Sequence, residues 1–169
     1  MARPDLNYVP GYYHRYINQV KGSSLLDAMK KQTPLFIRFL NNIPPEKRNY
    51  RYAKGKWTIK EVLQHIIDTE RVFAYRGLCF ARKDKTPLPS FDENLYAGNA
   101  RATKRDWSVL MEEFKAVRRS SELLFGSFNK EQLNSTGIAS NNPFNVLAIG
   151  FILVGHVNHH VTVVRERYL

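Results

Sequence analysis

Val146, Ile149, Leu153, His156, His160 and Val163 follow one another at steps of 3, 4, 3, 4 and 3 residues. That is the seam of a helix that faces other helices, and it limits the fold of this chain more than any other feature. It predicts a helix of about 26 residues, roughly 39 Å long. The helix is expected to start near Asn142-Pro143, with Asn as cap and Pro at the first helical position.

The same period recurs upstream. Residues 24–43 place Leu25, Met29, Phe36, Leu40 and Ile43 on one face and end at Pro44-Pro45. Pro34 lies inside that stretch and predicts a kink or restart, because it removes a donor and crowds the preceding turn. Thr58-Ile59-Lys60-Glu61 is a capping box, with Trp57 and Val62 placed as a hydrophobic staple. The helix it opens is expected to reach about Lys83. A further one, over 104–126, carries Trp107, Leu110, Phe114, Val117, Ser121 and Leu124. Residues 84–102 read as a long loop held by Leu88, Phe91 and Tyr96, and 129–133 as one short turn. There is no Asn-Gly hairpin and no strict alternation, so no strand is expected.

Four such segments predict an all-α four-helix bundle, and 84–102 is long enough for a crossover after the second helix. The whole chain, 169 residues with 43% hydrophobic and 24% charged content, is expected to be one domain. Residues 1–22 form an extension packed on the bundle. Cys79 is the single cysteine, which excludes an intramolecular disulfide and a multi-cysteine zinc ribbon. Set between Leu78 and Phe80, it reads as buried filler; a nucleophile needs an exposed setting and a histidine nearby. Phe144–Val157, the longest nearly apolar run, is 14 residues, short of the roughly 20 that cross a bilayer. With no apolar leader segment at the N-terminus, a reducing cytoplasm is the expected location.

Charge is unevenly distributed. Residues 1–85 hold 17 Lys/Arg against 7 Asp/Glu, whereas 86–169 hold 9 against 8. Lys47, Arg48, Arg51, Lys54, Lys56 and Lys60 fall in one stretch without a carboxylate, interleaved with Tyr50, Tyr52 and Trp57. Such a pattern is the footprint of a nucleic-acid contact, or equally a solvated loop that keeps the protein soluble. No recognition-helix, RNP-like or zinc-finger pattern accompanies it.

The core seam carries the chemistry. His156 and His160 occupy positions where aliphatic side chains belong, and at i, i+4 they lie about 40° apart around the helix. Both can reach one metal ion at about 2.0–2.1 Å. They can also be two buried imidazoles satisfied by hydrogen bonds, and spacing leaves both readings open. His159 is rotated about 100° from His160 and is expected to point elsewhere. His65, on a stripe with Val62, Thr69 and Val72, is a candidate third ligand that would leave a coordination position free for water, as catalytic ions require. Asp68 and Glu70 follow it, as a base or as groups that orient a ligand, or else as surface acids paired with Arg71. His156-Val157-Asn158-His159-His160 matches neither H-E-x-x-H nor H-x-x-E-H, so the metalloprotease general base is missing. No P-loop, G-x-G-x-x-G or G-x-S-x-G occurs.

The string from Lys56-Trp57-Thr58 through His65 to Arg71 resembles the second-helix motif of the DinB-like superfamily. So do Gly155-His156-Val157-Asn158-His159-His160, the ending Arg165–Leu169, Phe73-Ala74-Tyr75-Arg76 and Pro87–Asp92. The resemblance covers about residues 24–169, and the first twenty residues add little to it. It implies a four-helix bundle holding one divalent ion, usually zinc or nickel, on three histidines that map onto His65, His156 and His160. Members similar to it include thiol-dependent transferases and metal-dependent hydrolases.

Two function classes follow. The first is a metalloenzyme that activates a thiol or water against a small molecule, with Asp68 or Glu70 as base and Arg76 as anchor for an acidic substrate or low-molecular-weight thiol. The second is a non-catalytic module that binds nucleic acid or a partner through 47–60, with a structural or vestigial ion. A small-molecule substrate is the expected partner; a homodimer is compatible with the chain, and neither nucleic acid nor a membrane is expected.

Overall fold

The computed structural model describes residues 3–169. Four long helices dominate it: α2 (Leu25–Asn41), α3 (Ile59–Ala81), α5 (Trp107–Gly126) and α7 (Val146–Arg167). Three short ones, α1 (Gly11–Asn18), α4 (Glu93–Asn99) and α6 (Lys130–Leu133), and a hairpin of β1 (Thr136–Ala139) and β2 (Asn142–Asn145) complete it. The bundle is therefore as predicted, with a small sheet added.

Helix starts follow their caps. The Thr58 side chain accepts from the Glu61 amide while Glu61 accepts from the Thr58 amide, which is the expected capping box. Asn145, not Asn142, caps α7 by accepting from Ala148. Asn142-Pro143 lies in β2 instead, where Pro143 pairs with Ile138. The hairpin turns at Ser140-Asn141, both with positive φ (51° and 60°), the conformation of a type I′ turn. Leu88 is half of a bridge to Ala139 and anchors the 84–92 segment to that hairpin. Of the loop's other expected anchors, Phe91 packs on the core and Tyr96 is exposed. α2 runs unbroken through Pro34, so the restart does not occur.

Contacts set the topology. Leu25 meets Gly150 and Gln32 meets Val154, so α2 and α7 run parallel. Phe36 stacks edge-on against Phe114 and Leu26 lies against Gly126, so α2 and α5 are antiparallel. Lys60 reaches Arg105 and Gly77 meets Phe125, so α3 and α5 are parallel neighbours. α3 in turn runs antiparallel to α7, with Trp57 at Tyr168 and Gly77 at Ile149. α2 and α3 thus occupy diagonal corners, as do α5 and α7. Parallel neighbours cannot be joined by a tight turn, and the segment between α3 and α5 returns along the bundle as the expected crossover.

Two apolar clusters fill the interior, one around Phe73, Phe80, Phe125 and Phe144 and one around Phe36, Leu63, Phe114 and Val157. α7 is apolar enough by composition to cross a membrane, with a mean hydropathy of 1.5, but 67% of that window is buried in the bundle as its core helix. The 14-residue count understated this helix.

The N-terminal extension is seated across α7. A Cβ on Gly155 would stand 2.0 Å from the carbonyl oxygen of Tyr16. Only glycine permits this approach, and it brings α1 beside His156. Arg3 ties the far end of α1, its guanidinium donating to the carbonyls of Ile17 and Val20 at 2.7 Å each.

Candidate metal centre and its cavity

His65 from α3 and His156 and His160 from α7 converge. The Nε2 of His156 lies 3.0 Å from that of His65 and 2.9 Å from that of His160, and the three donor atoms fall within 4.8 Å of one another. Burial drives all three imidazoles toward the neutral form: the pKa of His65 is lowered to about 4 and those of His156 and His160 well below 6.5, with the neighbouring His159 adding to the effect on all three. Three neutral rings that point their Nε2 atoms at one place cannot all satisfy one another by hydrogen bonds, since each offers either a proton or a lone pair. Three lone pairs at one point do fit a divalent ion, for which two bonds of about 2.0–2.1 Å readily span nitrogens 3 Å apart. Thr69 Oγ1 lies 3.4 Å from His65 Nδ1 and orients that ring. His160 Nδ1 is buried with no partner among the described residues.

The triad opens on a cavity of about 280 Å³. Trp57, whose ring centroid is 4.7 Å from that of His65, walls it on one side. Tyr12, Tyr13 and Tyr16 of α1 wall it on another. Tyr16 stacks edge-on at 5.7 Å from His156 and 5.3 Å from His159. Its hydroxyl pairs with Tyr12 at 3.1 Å and accepts from Arg15 at 3.0 Å; burial and the Tyr12 hydrogen bond push its pKa up to about 12. His159 does not point elsewhere. It lines this cavity, 5.1 Å between ring centroids from His160, and no described residue hydrogen-bonds to its ring. The first residues of the chain, which added little to the sequence reading, therefore build part of the site.

Of the expected helpers only Arg76 reaches the cavity. It is 2% exposed, and its Nη2 donates to the Pro89 carbonyl at 2.8 Å and to Ser140 Oγ at 3.1 Å. Asp68 turns into a neighbouring groove with Gln64, Arg105 and Glu113, because 60° of rotation carries it past the ridge of α3. It accepts from Gln64 at 2.9 Å, and burial raises its pKa. Glu70 is neither a surface acid nor a partner of Arg71. Arg118 holds both its oxygens, at 2.7 and 2.8 Å, with the two side chains 0% and 2% exposed. Arg118 also donates to Gln32 Oε1, while Gln32 Nε2 donates to the Val154 carbonyl and to Asn158 Oδ1. Neither acid lines the cavity, so neither stands where a base would act.

The basic segment is largely committed to the fold. Lys47 donates to the Tyr168 carbonyl, Arg48 to that of Ile43, and Lys60 to those of Thr103 and Arg105, while Arg51 pairs with Glu61 at 3.8 Å. Lys54 and Lys56 are exposed. Cys79 is buried.

Residues 28–164 match the family model of the DinB superfamily. The chain belongs to the DinB superfamily. Among solved structures it is similar to YfiT from Bacillus subtilis, described as a probable metal-dependent hydrolase with an unusual four-helix bundle topology. The TM-score is 0.72 at 13% identity, over 96% of this chain and 89% of that one. It is also similar to a mycothiol-dependent maleylpyruvate isomerase, with a TM-score of 0.68 at 11% identity, over 82% of this chain and 58% of that one. Identities this low speak for the fold alone. No curated protein matches the chain in sequence. The matched region of this DinB protein starts after α1, so Tyr12, Tyr13 and Tyr16 lie outside it.

Proposed function

We propose that this DinB protein is a divalent-metal-dependent enzyme acting on a small molecule, either as a thiol S-transferase or as a hydrolase. The convergence of the His65, His156 and His160 Nε2 atoms at the inner end of a cavity carries this reading. A bound zinc or nickel ion would supply Lewis acidity and lower the pKa of a thiol or water at its free position. The chain's own residues do the rest. Thr69 fixes the His65 ring. Burial keeps all three imidazoles unprotonated and ready to ligate. Trp57 and the tyrosines of α1 exclude bulk water from the triad. Arg76 offers charge-assisted hydrogen bonds to an acidic group on the substrate or on a low-molecular-weight thiol.

The binding-module reading loses ground because four of its six cations already serve the fold. A panel of electrophiles with several thiols, assayed with and without a chelator, tests the proposal. Turnover that stops on chelation and returns with zinc or nickel supports it. Salt-sensitive DNA or RNA retention that persists in His160→Ala, with no turnover, contradicts it.

A further inference from the structure

The cavity has a second end. His65 and Arg76 are eleven residues apart on α3, which places them within about 20° of one face and roughly 16 Å apart along the axis. Arg76 therefore marks a subsite distinct from the histidines, flanked by Phe73 at 4.9 Å and Phe91 at 6.0 Å from its guanidinium carbon. Only its Nη2 is engaged by protein; among the described residues its Nε and Nη1 have no partner. A buried guanidinium without a carboxylate is costly, and none of the ion pairs among the described residues includes Arg76.

A carboxylate of opposite charge shares the cavity. Glu93, the first residue of α4, lines the same cavity and makes no ion pair among the described residues either. Tyr13 lines the same cavity and feels both charges. Its pKa is raised chiefly by burial, while Arg76 pulls it down and Glu93 pushes it up. Opposite charges that line one cavity without pairing with each other are the complement of a zwitterion.

We infer that the Arg76 end binds a free α-amino acid group, with its carboxylate on Arg76, its ammonium on Glu93 and its side chain between the flanking aromatic rings. The ligand of this cavity is then a molecule with such a head group at one end and its reacting atom at the histidine end. This rests on the cavity being the substrate site, and not on which ion is bound.

The test is calorimetric titration of the full-length protein with three matched probes, L-phenylalanine, 3-phenylpropionate and phenethylamine. It is run on metal-loaded and on chelator-treated protein, so that chelation of an ion by the amino acid is separated from recognition by the chain. The expected result is L-phenylalanine binding about tenfold tighter than either probe that lacks one charge, with or without metal. Glu93→Gln, an exposed position, removes the advantage over 3-phenylpropionate and leaves 3-phenylpropionate binding as before. Arg76→Gln weakens both carboxylates. Equal affinity for L-phenylalanine and 3-phenylpropionate, no binding of any probe at millimolar concentration, a preference confined to metal-loaded protein, or a preference that survives Glu93→Gln overturns the inference. A chain that holds no ion yet keeps the preference refutes the metal-dependent reading alone.

Discussion

Two polar clusters sit side by side inside this bundle and end in opposite states. The Arg118–Glu70–Gln32–Asn158 cluster joins all four long helices, and its ion pair is closed by two charge-assisted hydrogen bonds. The His65–His156–His160 cluster, built on the same stretches of α3 and α7, aims three Nε2 atoms at one point, where they cannot all hydrogen-bond to one another. A network that satisfies itself serves the fold, whereas one that does not awaits something from outside. Glu70 follows His65 by five residues and Asn158 follows His156 by two, so the clusters differ in completeness rather than in place.

The sharpest way to break that comparison is Arg118→Met, which strands the Glu70 carboxylate. Denaturant unfolding is expected to show a loss of about 3–5 kcal/mol, with metal bound per folded chain unchanged. A loss below about 1 kcal/mol would mean that the closed cluster does not hold the helices together.

The next effect belongs to the seat of α1. Gly155→Ala forces a methyl against the Tyr16 carbonyl, and overpacking of this kind costs about 1–3 kcal/mol. Because α1 moves with it, ligand affinity should fall while metal content stays. Unaltered ligand affinity would separate α1 from the cavity.

The pH response distinguishes the two clusters further. The folded-state pKa of His65 lies near 4, below its ordinary value of 6.5, and those of His156 and His160 are likewise lowered well below 6.5. The unfolded chain therefore takes up protons first as pH falls. Metal-free protein should keep its full stability above about pH 6.5 and lose it progressively toward pH 4, by at most about 1.4 kcal/mol per pH unit for each imidazole. Urea midpoints measured across that range check the slope, and His65→Ala should flatten it. The smallest effect is expected on the exposed surface: Lys54→Ala and Lys56→Ala should leave stability within about 0.5 kcal/mol and ligand binding unchanged.

How much of this was legible depends on the range of each signal. The Thr58–Glu61 capping box and the helix of α7 are local patterns, and both appear in the fold, although α7 is buried on every face from Val146 to Val157 rather than along one seam. The hairpin escaped because its turn uses Ser140-Asn141, residues that tolerate positive φ here without the Asn-Gly signature. Its Asn142-Pro143 then looked like a helix start. Arg118 carries no sequence mark of burial, since its partners Glu70 and Gln32 lie 48 and 86 residues away. Helical-wheel angles paired His156 with His160, and the family resemblance brought His65 to them, but the angles misplaced His159 and Asp68, because a cavity wall spans more of a helix than a single stripe does. The tyrosines of α1 reach the site through tertiary contacts, among them the approach at Gly155, that no short-range pattern encodes.

The claim beneath all of this is that the three imidazoles are unsatisfied because they ligate an ion. Elemental analysis of the native protein, purified without a metal-binding tag and set beside His160→Ala, tests it most directly. About one divalent ion per chain in the native protein and none in the variant is the predicted result. A native protein that is empty, and that takes up neither zinc nor nickel when either is supplied, would contradict it.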